Sequence, residues 1–235
     1  MATKKKIKKK PERELLENPE VLAEKLSKTE QWIEDHKNLV FSVLGVIVLI
    51  IGGTLFYRYY LANQNNLAQS EMFQAQYWFE ADSLNLALNG DGNNYGFLEI
   101  IDNYGSTKAA NLAHFYAGVC YLKNGEYDNA ITYLSEFDAG DKLAQARAYA
   151  LIGDAQMEKG DFNEAATLYG KAVDHYPNEF FTPQYLMKEA LAYEKLEDFD
   201  RAVASYDEII NKFTKSAEIQ NARKQRARIE NRASK

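Results

Sequence analysis

The sequence predicts an all-α protein in which one membrane-crossing helix is followed by a solenoid of helical repeats. Residues 39–57, LVFSVLGVIVLIIGGTLFY, carry no charge and lie between Lys37 and Arg58. Three segments of matching helical pattern recur in the second half of the chain: 113–134, 148–169 and 185–206. Each also places small residues where paired helices would cross. The formal net charge of -6 is unevenly divided, with ten basic and eight acidic side chains before residue 38 and an acidic excess after it.

The head comes first, residues 1–37. KKKIKKK at residues 4–10 is a like-charge block that is expected to stay unfolded. Its plainest use is attraction of Lys4–Lys10 to anionic lipid, worth ~1 kcal/mol per basic residue close to the surface. Contact with ribosomal RNA or another cytoplasmic partner is a second use. Val21, Leu22, Leu26, Trp32 and Ile33 recur at near-helical spacing, which predicts a short amphipathic helix over 19–36.

Residues 38–58 are the expected transmembrane signal anchor. A helix rises ~1.5 Å per residue, so about 20 residues cross a ~30 Å hydrocarbon core. The run is apolar all round, unlike an amphipathic core helix. It is longer than a signal-peptide apolar region, and RYYLANQNN after it offers no small-x-small cleavage pair. Ten Lys/Arg precede it, whereas Arg58 is the only basic residue from there to Lys108. Basic flanks stay inside, so the N-terminus is expected in the cytoplasm and residues 60–235 outside. Tyr57, Tyr59 and Tyr60 suit the outer headgroup layer. The opposite topology would make the chain a cytoplasm-facing adaptor.

Beyond the span, residues 59–105 read as a long helix over 62–89 and a degenerate first unit. Leu67, Phe73, Tyr77, Trp78, Ala81 and Leu84 form the apolar positions of that helix. NGDGNN at 89–94 is a turn, and YGFLEIIDNY at 95–104 a second helix. Residues 106–213 then hold three repeats. Gly118, Gly153 and Ala190 mark the crossing points of the first helices, and Ala130, Ala165 and Ala202 those of the second. Larger side chains there would push helix axes beyond their ~8–10 Å packing distance. The intervening turns are NGEYD, KGDFN and LEDFD. Gly125 and Gly160 suit a left-handed helix end, Glu197 replaces glycine in the third turn, and Tyr127, Phe162 and Phe199 plug the seam. Pro177 ends the second helix of the middle repeat. Residues 214–235 are a polar, basic capping helix, in which Arg223, Lys224, Arg226, Arg228 and Arg232 form either a solvated cap or a site for an acidic partner.

Catalysis finds no support in the residue pattern. His36, His114 and His175 lie apart, with no metal-ligand spacing around them, and no phosphate loop, dinucleotide glycine pattern or nucleophile elbow occurs. No cofactor is expected. The single cysteine, Cys120, excludes an intramolecular disulfide and suits a packed helix face. The acidic outer domain argues against nucleic acid as a partner.

With Gly153, Gly160, Phe162, Ala165, Tyr169, Ala172 and Pro177 in place in the middle repeat, and Ala130, Ala165 and Ala202 spaced by 35 and 37 residues, the chain resembles the tetratricopeptide family over residues 109–213. The resemblance implies protein binding on a concave surface lined by the first helix of each pair. It points to Leu112, Phe115, Val119, Leu122 and Lys123 in repeat one. In repeat two it points to Arg147, Ala150, Asp154 and Met157, and in repeat three to Met187, Leu191, Glu194 and Lys195. The apolar strip of Phe115, Val119 and Leu122 would take a helix or an extended peptide, unless the helix over 62–89 fills it. The layout of head, span and outer repeats resembles the ancillary subunits of the bacterial Sec translocon. That implies an inner-membrane protein with a periplasmic domain. The partners implied are translocon subunits, a periplasmic chaperone and translocating chains. A scaffold for cell-envelope assembly or division is the alternative; such proteins usually carry a cleaved signal or a lipid-anchored cysteine.

Overall fold

A computed structural model describes the backbone of residues 19–233 and the side chains of residues 23–231. The Lys4–Lys10 block, the side chains of Val21 and Leu22, and that of Arg232 therefore lie outside the described residues. Among the described residues the secondary structure is helical throughout. The helices are α1 (Pro19–Asp35), α2 (Lys37–Glu80), α3 (Leu84–Asn89), α4 (Phe97–Tyr104), α5 (Lys108–Lys123) and α6 (Tyr127–Glu136). They continue as α7 (Lys142–Lys159), α8 (Phe162–His175), α9 (Thr182–Lys195), α10 (Phe199–Lys212) and α11 (Ile219–Ala233).

The chain divides into two compact units between Tyr60 and Leu61. In the first, α1 forms over the expected residues, with Trp32 stacked on His36 one turn later. The apolar run lies within α2, the one helix among the described residues long and apolar enough to cross a membrane. Its most apolar window has a mean hydropathy of 2.7 and none of it is buried. It is therefore not a core helix of this fold.

The second unit begins with the remainder of α2. The helix expected over 62–89 is corrected here: it breaks at 81–83, where Asp82 takes φ 57°, and α3 follows. The buried face also differs from the expected one. Ala68, Met72, Ala75 and Trp78 are buried, whereas Leu67, Phe73 and Tyr77 are exposed. Ala68 and Ala75 join Ala109, Ala113, Ala117 and Cys120 of α5 in one buried cluster. Asn65 Oδ1 accepts the Ala109 amide at 3.0 Å, satisfying a donor at the start of α5. Lys123 pairs with Asp82 at 2.7 Å across the break. Burial pushes the Cys120 thiol up to about 12, so it serves as a small hydrophobe.

From α5 onward the helices pack in sequence as antiparallel pairs, α5 with α6, α7 with α8 and α9 with α10, and α11 packs on α10. A Cβ on Gly118 would lie 2.5 Å from Leu134 Cγ, and one on Gly153 2.7 Å from Tyr169 Cε1. Ala130, Ala165, Ala190 and Ala202 are fully buried at the corresponding crossings. Gly125 and Gly160 take φ 79° and 85° at the first two turns, and Glu197 takes φ 58° at the third. The second helix of the middle pair ends at His175, two residues before Pro177.

Candidate protein-binding surface

Helices α5, α7 and α9 are the first members of their pairs, and their ends are set by local chemistry. Thr107 Oγ1 accepts the Ala110 amide at the start of α5. Asp141 Oδ1 accepts the Leu143 and Ala144 amides, each at 2.9 Å, at the start of α7. Pro183 occupies the first turn of α9, where its missing N–H costs nothing.

Three cavities open along these helices. The first, of about 250 Å³, is lined by Leu112, Phe115, Phe137, Arg147, Phe181 and Tyr185 among others. The second, of about 540 Å³, is lined by Leu122, Tyr127, Asp154, Met157, Glu158, Tyr169, Lys188 and Leu191. The third, of about 340 Å³, is lined by Met187, Lys188, Leu191, Glu194, Tyr206, Gln225 and Arg228. Lys188 and Leu191 line both the second and the third, so these two are neighbours on α9.

Two polar rungs cross this surface. Asp154 accepts the Tyr169 hydroxyl at 2.7 Å, and Lys188 Nζ donates to both its oxygens at 2.8 and 2.7 Å. Glu194 accepts the Tyr206 hydroxyl at 2.8 Å and the Arg228 guanidinium. Each rung joins an acid on a first helix, a tyrosine on the second helix of that pair, and a cation on a later helix. Burial, with the adjacent carboxylate, holds the Tyr169 hydroxyl protonated far above the ordinary phenol range; burial and Glu194 do the same for Tyr206. Both hydroxyls are thus fixed as donors. In the gap-free alignment of the repeats Tyr169 and Tyr206 share a position that Leu134 fills in repeat one. The surface therefore changes along its length, from apolar and aromatic around α5 to ion-paired around α7 and α9.

Of the residues expected from the sequence, Leu112, Phe115 and Arg147 come together in the first cavity. Leu122, Asp154 and Met157 meet in the second, and Met187, Leu191 and Glu194 in the third. Val119 instead packs against the small core of Leu134, Ile152 and Leu168. Ala150, 3% exposed, faces the main core, and Lys123 is tied to Asp82. Lys195 is exposed at the end of α9. The C-terminal part of α2 shares a buried cluster with the alanine face of α5, while Phe115 and Leu122 line cavities. Of the basic residues on α11, Arg226 pairs with Asp207 and Glu230, Arg228 pairs with Glu194, and Arg223 and Lys224 are exposed. Sequence reasoning missed Lys188, Tyr206, Phe137, Phe181 and Tyr185, and it named Tyr169 and Arg228 without placing them on this surface. The recurring tyrosine was the available signal for the rungs. Phe137 and Phe181 come from helix ends outside the repeat pattern.

Residues 97–144 and 150–217 match the family described as tetratricopeptide repeat. The first match begins at Phe97, so it takes in α4 as well as the helices from α5 onward. These residues thus carry tetratricopeptide repeats, the mark of a protein-binding scaffold. No group of three or more metal-competent side chains occurs among the described residues. No curated protein matches the chain.

Proposed function

We propose that the protein is a membrane-anchored scaffold that holds a segment of another protein along α5, α7 and α9. The observation that carries this is the convergence of nine sequence-expected residues on three cavities of those helices. The charge-free run of α2 supports the anchor. The excess of basic residues before it supports a cytoplasmic N-terminus and a periplasmic repeat domain in a bacterial inner membrane. In that setting the partners are translocon subunits, a periplasmic chaperone or chains emerging from the Sec channel, and the protein is an ancillary factor that couples secretion to chaperones. Lys4–Lys10 adds attraction to anionic lipid. Phe115, Arg147, Asp154, Met157 and Leu191 are the residues that meet the bound segment.

A mild-detergent pull-down with the full chain, quantified by mass spectrometry against a Met157→Arg, Leu191→Arg double variant, tests this. The expected result is enrichment of translocon subunits or a periplasmic chaperone that the variant loses. Enrichment of division or outer-membrane assembly proteins would move the protein to the envelope-scaffold alternative. Identical partner sets for both chains would remove this surface from the account.

A further inference from the structure

The first cavity has a composition that selects its occupant. Its walls include Leu112, Phe115, Phe137 and Phe181. Its volume, about 250 Å³, falls below the ~300–1,000 Å³ of small-molecule pockets, so it suits one side chain. Two donors face the same space. The Arg147 guanidinium lies 5.8 Å from the centre of the Phe115 ring, and among the described residues it pairs with no carboxylate. Tyr185 lines the same cavity, its hydroxyl likewise without a hydrogen-bond partner among them; burial raises its pKa, Arg147 opposes the rise and Asp154 adds to it. Asp141 also lines the cavity, but its Oδ1 is engaged by two amides at the N-terminus of α7. Among the described residues the Arg147 guanidinium is therefore the ionic donor of this lining that no carboxylate holds.

Resting on the groove function above, we propose that this cavity reads an apolar-x-acid motif in an extended segment of the partner protein. The apolar side chain enters among Phe115, Phe137 and Phe181, and the carboxylate meets Arg147 and Tyr185. Residues two apart in an extended chain share a face and lie ~6.6 Å from each other, so one peptide can reach both the Phe115 wall and the neighbouring Arg147, whose guanidinium lies 5.8 Å from that ring. A guanidinium binds carboxylate through a planar fork of donors. An acid beside the motif carries the specificity, because a basic residue in the same place would confront Arg147.

The test is selection of random twelve-residue peptides displayed on phage, panned on the detergent-solubilised full chain. Wild type is expected to enrich an aromatic or branched aliphatic residue two positions from Asp or Glu. Arg147→Glu, a change at an exposed position, is expected to enrich Lys or Arg in place of the acid and to bind wild-type-selected peptides at least tenfold more weakly. Ala144→Trp, which fills the cavity, is expected to lose both sets. Circular dichroism and unfolding midpoints show that each variant is folded. Selected peptides without the acid, or affinities unmoved by Arg147→Glu, would overturn the motif while leaving groove binding intact. Peptides insensitive to both Ala144→Trp and Leu191→Arg, or no enriched peptides at all, would overturn groove binding itself.

Discussion

Glu197 and Gly118 show how single positions decide this fold. Glu197 ends α9 in the left-handed region that Gly125 and Gly160 occupy in the other repeats. A residue with a Cβ loses roughly 1–2 kcal/mol there, partly offset by the greater freedom that glycine gives the unfolded chain. Glu197→Gly is expected to stabilise the protein by about 0.5–1 kcal/mol, read as a higher urea midpoint with unchanged slope. Gly118 has the opposite sensitivity, since a Cβ there would meet Leu134 at both its side chain and, at 3.0 Å, its backbone nitrogen. Gly118→Val is expected to cost about 1–3 kcal/mol in the same measurement, because the backbone of α6 would have to move. The crossing role of Gly118 was legible because the repeats align without gaps and its column holds only small residues, whereas Glu197 stood out as a departure without revealing that it keeps the left-handed conformation. The buried face of α2 was not legible. Leu67, Phe73 and Tyr77 are the larger side chains, yet Ala68 and Ala75 are the ones that join Ala113 and Ala117 in a buried cluster.

At the scale of elements, α9 carries both the binding surface and a charge buried behind it. Glu189 accepts a hydrogen bond from Ser205 at 2.9 Å, and it faces Glu208, Asp174 and Arg201. Burial is the main cause holding its carboxyl above the ordinary range, with Glu208 and Asp174 adding to it, while Ser205 and Arg201 act against it. An acid whose folded pKa is raised favours the fold when protonated. Its contribution is full below the unfolded value of about 4.3 and is lost as pH rises through the folded value. Glu189→Gln is therefore expected to gain on wild type in unfolding free energy as pH is raised from 4 to 7. A constant difference across that range would contradict the assignment. The cap of α7 is a second element-scale test: Asp141→Ala removes the acceptor of two amides and is expected to cost about 1 kcal/mol. The turns between paired helices were legible from Gly125 and Gly160, whereas the caps at Thr107 and Asp141 were not singled out from the sequence. The rungs did not, because Asp154 and Glu194 occupy different columns of the aligned repeats and reach the same tyrosine position from adjacent turns.

For the whole molecule, the sequence supplied the class of architecture through two patterns of different length: one uncharged run of helical span length and one recurrence near 35 residues. The inner surface was largely legible too, because each repeat puts its first helix in the same place. Cavity walls contributed by Phe137 and Phe181 were not, because helix ends and connections fall outside the repeating pattern. A C-terminal alkaline phosphatase fusion is expected to be active in a bacterial host, as a domain exported across the inner membrane requires; an inactive fusion would place the repeats in the cytoplasm. The central claim is that α5, α7 and α9 bind another protein. Its most direct measurement is crosslinking in intact cells from a photoreactive amino acid at Leu191, which is 44% exposed and lines two cavities, against one at Thr167, exposed on α8 and lining none of the three. Discrete protein adducts are expected from Leu191 and none of them from Thr167. Equal adducts from both positions, or adducts from Thr167 alone, would contradict it.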